Sequence, residues 1–134
     1  MNLIDLARLR VPAVLALLAL AAAPIAGCKK QIEAPYDHQV CFHVIFLQGG
    51  GVKFNKLAEH RENLESCAAA LEGMRMRFLS LGGNQTDIIG SYQGNFLFLD
   101  RYGVFTAPSL TAARYPALVR TGDGRLVIPG AVAR

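Results

Sequence analysis

The chain has 134 residues, enough for one domain and not two. Its formal net charge of +4 is small and scattered, which sets aside nucleic-acid binding through a clustered basic patch. Hydrophobic residues make up 52% of the sequence, but the N-terminal end carries much of that excess.

Residues 11–27, VPAVLALLALAAAPIAG, carry no charge, and the preceding MNLIDLARLR supplies Arg8 and Arg10. A positive start leading into an apolar run is the layout of a secretory signal, which is left out of fold reasoning. The run is shorter than the ~20 residues that a spanning helix needs, so an uncleaved membrane anchor is the alternative. The stretch IAGC at 25–28 resembles the lipobox of bacterial lipoproteins: an aliphatic residue, a small one, glycine, then cysteine. An ordinary signal-peptidase cut after AAA at 21–23 would instead place Pro24 next to the scissile bond.

The resemblance covers residues 1–28 only. It implies a signal peptide over 1–27, a diacylglycerol on the Cys28 sulfur, and an acylated new N-terminus of the palmitate type. Two or three chains make a stable anchor, whereas one binds membranes marginally. Lys29 in place of aspartate implies, by analogy with enterobacterial sorting, the outer membrane facing the periplasm. Residues 28–39 then form the anchor and a short polar tether, reaching at most about 35–40 Å at ~3.3–3.6 Å per residue. A single domain follows over 40–134.

With Cys28 committed to lipid, Cys41 and Cys67 remain, an even number in an oxidising compartment, and a disulfide is expected. VCFHVIFL at 40–47 reads as a buried strand, broken by QGGG at 48–51. From Asn55, read as the N-cap, to about Phe78 the apolar spacing turns helical, through Leu57, Leu64, Cys67, Leu71, Met74 and Phe78. A helix running back along the strand brings its later half, with Cys67, to Cys41. His43 and His60 fall on the same faces as these cysteines, so a zinc site of Cys41, His43, His60 and Cys67 is the alternative. Its spacing matches no familiar zinc module.

LGGNQ at 81–85 ends the helix. Strands follow near 87–92, 95–100 and 103–106, with YQGN and DRYG as turns and Gly103 placed for a bulged hairpin. SLTAARY at 109–115 suggests a short helix capped by Ser109, and PALVRTGDGRLVIP at 116–129 a hairpin with Asp123-Gly124 at its tip. The expected fold is α+β: one long helix packed on a mostly antiparallel sheet, in strand–helix–strands order with a C-terminal hairpin. That order is similar to ferredoxin-like and peptidoglycan-binding SPOR folds.

The chemistry-bearing motifs are incomplete. QGGGVK lacks the G-K-[ST] of a phosphate loop, and Ser91 lacks the first glycine of a G-x-S-x-G elbow. Glu59, Glu62, Glu65 and Glu72, interleaved with Arg61 and Arg75, read as a solvated, ion-paired helix face. Tyr92, Arg101 and Tyr102, beside turns, form a candidate contact patch. The sequence therefore points to a non-catalytic lipoprotein with no cofactor and no metal. Its role is interaction or envelope maintenance, with an envelope protein or cell-wall glycan as partner. A ligand- or peptidoglycan-binding module is the runner-up.

Overall fold

The computed structural model describes residues 27–28 and 30–131. The signal-peptide reading of residues 1–26 lies outside the described residues, as does the end of the C-terminal GAVAR stretch. Contacts divide the chain at Lys30, and the compact unit that carries the fold begins at Gln31. The chain forms β1 (Cys41–Phe46), β2 (Val52–Ala58), α1 (Leu64–Ser80), β3 (Ile88–Tyr92), β4 (Asn95–Leu99), β5 (Gly103–Ala107), β6 (Tyr115–Arg120) and β7 (Leu126–Val127). All seven strands join one sheet in the order β2-β1-β3-β4-β5-β6-β7, every neighbouring pair antiparallel. The α+β class, one long helix packed on the sheet and the C-terminal hairpin are as expected.

β2 departs from the sequence reading, which placed residues from Asn55 on a helix. Val52 and Phe54 alternate with Lys53 and Asn55, a period of two, and Val44 pairs with Phe54 across the β1–β2 ladder. The Gly49 and Gly50 turn, at φ +104° and +95°, closes that hairpin. β2 and β3 both run antiparallel to β1, so they share a direction and α1 links them as a split β–α–β unit. A ferredoxin-like fold repeats that unit. Here a meander from β3 to β7 follows instead, and α1 is the one long helix among the described residues.

Helix α1 starts eight residues later than the spacing suggested, because Asn63 rather than Asn55 is the N-cap. The Asn63 side chain accepts a hydrogen bond from the Ser66 N–H at 2.8 Å, and Ser66 Oγ accepts from the Asn63 N–H at 3.4 Å, a capping box. At the other end, Gly82 at φ +89° and the Gly83 N–H bonded to the Phe78 carbonyl stop the helix. Residues 109–115 hold no helix. Ser109 Oγ accepts the Ala112 N–H at 3.1 Å and closes a single turn, after which β6 begins.

Both faces of the sheet are covered. On one face Cys67, Ala68 and Leu71 of α1 pack over Cys41, Ile88, Tyr92, Leu97, Leu99, Val104 and Leu118. On the other, Val44, Phe96, Phe98 and Ala107 are covered by Ile32 and Ala34 and by Leu110 and Ala112 of the 109–113 turn. Residues 31–39, read as tether, thus belong in part to the core: Ala34 is buried and the Pro35 carbonyl accepts the Gly94 N–H at 2.9 Å. Sheet positions in the centre are accordingly mostly apolar on both sides, with the fully buried Ser91 of β3 as a polar exception.

Leu71 of the helix packs directly onto Gly90 of β3. A Cβ there would come within 2.9 Å of the Phe42 carbonyl oxygen and closer still to Leu71 Cδ1. Only glycine lets Leu71 settle onto the strand. Gly90→Ala should therefore destabilise the domain by about 1–3 kcal/mol, the usual range for overpacking. Combined with Leu71→Ala its cost should shrink, a non-additivity that denaturant unfolding of the two single variants and the double variant would measure.

Candidate functional site: an arginine-lined groove

Cys41 and Cys67 form a disulfide with a Cα–Cα separation of 5.3 Å. Cys67 lies in the first two turns of α1, not its later half; because β2 ends beside Cys41, the helix begins there. In the chain-entropy picture, closing this loop contributes about 3–4 kcal/mol. Cys28 is exposed and unpaired. The alternative zinc set does not assemble. The two sulfurs are bonded to each other, and His60 sits exposed at φ +56° in the loop between β2 and α1 rather than on the helix. His43 is half-buried on β1, where burial lowers its pKa and favours the neutral ring. Among the described residues no three His, Cys, Asp or Glu side chains converge as a metal site would require.

The contact patch read from the turns is only half present. Tyr102 is exposed, and the Arg101 guanidinium stacks on its ring at 4.7 Å while donating to its hydroxyl at 2.6 Å. Tyr92 is buried against α1, and its hydroxyl donates to the Arg61 carbonyl.

The helix face read as solvated holds the chief polar feature of the molecule. Glu72 is largely withdrawn from solvent and accepts four hydrogen bonds. Arg120 of β6 donates from Nη1 to Oε1 at 2.7 Å and from Nη2 to Oε2 at 2.9 Å. Arg75, one helical turn on, donates from Nε at 2.9 Å and from Nη2 at 3.0 Å. Both forks are bidentate, the strongest arrangement for this pair of groups. Arg120 also donates from Nε to the Asp100 carbonyl at 2.9 Å and from Nη1 to the Gly124 carbonyl at 3.3 Å, and Arg75 Nη1 donates to the Thr86 carbonyl at 3.1 Å. One carboxylate therefore ties α1 to β6, to the turns on either side of β5 and β6, and to the segment before β3.

Beside this tie lies an open groove of about 730 Å³ between α1 and the β6–β7 hairpin. Ala69, Met76 and Leu126 give it an apolar lining. Arg75, Arg120, Arg101 and Arg125 face it with Glu72 and Asp123, so the guanidiniums outnumber the carboxylates by two. Arg125 Nε pairs with Asp123 at 2.6 Å at the exposed hairpin tip. Among the described residues no carboxylate lies within 4.0 Å of the Arg101 guanidinium. Sequence reasoning missed this groove. Arg120 is 48 residues from Glu72, and no local spacing signals such a pair.

No family model matches the sequence, and neither the curated proteins nor the solved structures hold a significant match to it.

Burial alone would raise the pKa of Glu72, but the hydrogen bonds from Arg120 and Arg75, and then their charges, outweigh it and hold the carboxyl at about 2. A carboxyl depressed on folding contributes stability above its unfolded pKa and loses it as pH falls toward the folded value. Stability should therefore decline between pH 4.5 and about 2. Glu72→Gln should flatten part of that decline and cost about 2 kcal/mol at neutral pH, discounted for partial exposure from what a fully buried pair loses. Asp123, also held near 2 by Thr121 and Arg125, remains in both proteins, so the difference between their urea curves isolates Glu72.

Proposed function

We propose that this chain is a small, non-catalytic binding module of the bacterial envelope, held at the outer membrane on the periplasmic side through a lipid on Cys28. The observation that carries the reading is the division of the three cysteines. Two are bonded to each other inside the fold, whereas Cys28 stands exposed and unpaired outside the compact unit. Internal disulfides persist in oxidising compartments, and a thiol left over there calls for a separate fate. The lipobox-like residues 25–28 supply that fate.

Only Lys29 and Lys30 separate Cys28 from the unit that begins at Gln31, a span of roughly 10 Å at ~3.3–3.6 Å per residue. The domain works close to its membrane. Binding is favoured over a purely architectural role because the fold presents an open, charge-lined groove instead of a smooth surface.

Intact mass of the chain extracted from bacterial membranes tests the reading. A chain beginning at Cys28 plus its acyl groups, gaining about 2 Da on reduction of one disulfide, is the expected result. Cys28→Ser should also move the protein out of the membrane fraction. A full-length mass without lipid would replace the lipid anchor with an uncleaved N-terminal segment.

A further inference from the structure

The groove beside Glu72 contains three kinds of arginine. Arg75 and Arg120 spend most of their donors on Glu72 and on backbone carbonyls, so they add positive potential without a free hand for a ligand. Arg125 shares its charge with Asp123. Arg101 is exposed, free of carboxylate contact among the described residues, and braced on the Tyr102 ring. A smaller hollow that shares Thr86 and Arg101 with the groove is lined by Asp87 and Asp100. Asp100 is already occupied there, accepting the N–H groups of Tyr102 at 2.7 Å and Gly103 at 3.1 Å. Asp87 accepts from the Thr86 hydroxyl at 3.2 Å.

We infer that this groove binds short acidic peptides with a free carboxylate and aliphatic side chains, with Arg101 receiving the carboxylate. The inference rests on the binding-module reading but not on the lipid anchor. A planar guanidinium matches a carboxylate in a two-bond fork, and stacking on Tyr102 holds it in position before the ligand arrives. The apolar lining of Ala69, Met76 and Leu126 suits short aliphatic side chains, and about 730 Å³ falls in the range of small-ligand sites. Asp123 is held by Thr121 and Arg125, so the apolar lining decides between anions. A peptide covers Ala69, Met76 and Leu126 as well as meeting a guanidinium, whereas a bare phosphate meets the guanidinium alone.

The test is a titration of the isotopically labelled full chain in detergent micelles, followed by amide NMR. The probe is acetyl-Ala-Glu-Ala-Ala with a free C-terminus, and its neutral twin carries Gln and a C-terminal amide. The acidic peptide should shift the amides of Met76, Thr86, Arg101 and Leu126, and bind about tenfold tighter than the twin. Arg101→Gln, at an exposed position outside the Glu72 tie, should leave the rest of the spectrum in place and weaken binding by about tenfold. Equal binding of the twin, or no loss in Arg101→Gln, would overturn the inference. Inorganic phosphate binding as tightly as the peptide would reduce the groove to a general anion site and overturn the peptide assignment. Shifts caused by solubilised cell-wall fragments at another face, with none in the groove, would overturn the groove while sparing the binding-module reading.

Discussion

The Glu72 carboxylate is the constraint on which the shape of this molecule turns. A seven-stranded antiparallel sheet has two faces to cover, and among the described residues one long helix covers one of them. That helix is fixed near its start by the Cys41–Cys67 bond to β1 and near its middle by the Arg120 fork on Glu72, while Arg75 braces the same carboxylate from within the helix. The two ties lie on opposite sides of the sheet centre, one reaching toward the β2 edge and the other toward β6. Between them Leu71 drops onto Gly90, where no other side chain fits. Remove the carboxylate and two arginines lose their shared partner in a half-buried site, which costs more than the pair contributes when intact.

The same tie makes the groove. Arg120 reaches Glu72, the Asp100 carbonyl and the Gly124 carbonyl at once, so the turn before β5 and the hairpin tip after β6 are held against one helix face. The groove walls are therefore set by the interactions that hold the fold, and they stand ready before any ligand is present. Preorganisation of this kind lowers the ordering cost of binding. Arg101, next to Asp100, takes its position from the same turn.

What was legible in the sequence was local. The β1 strand, the glycine-ended helix, the β3–β5 turns and the Asp123-Gly124 hairpin each carry their signal within a few residues. The disulfide was legible by counting, although the expected reason, a long helix returning to the strand's start, differs from the real one. β2 was missed because Leu57 and Leu64 stand seven residues apart and mimic a helical stripe. Yet the alternation of Val52, Phe54 and Lys53 after three glycines was the better signal. Glu72 was misread because its long-range partner comes from β6, and a helix face interleaved with charges looks solvated until the sheet supplies that partner. The 31–35 segment looked like tether because only Ile32 and Ala34 are apolar, and it is the uncovered second face of the sheet that draws them in.

Carbon-13 NMR of the Glu72 side-chain carboxyl through a pH titration of the folded protein tests this account most directly. A midpoint near 2, with the amides of Arg120 and Gly124 shifting in step, is the result expected of a carboxylate clamped by two arginines. A midpoint in the ordinary range, near 4.5, would show that the tie is absent in solution. The groove would then lose the framework that positions it.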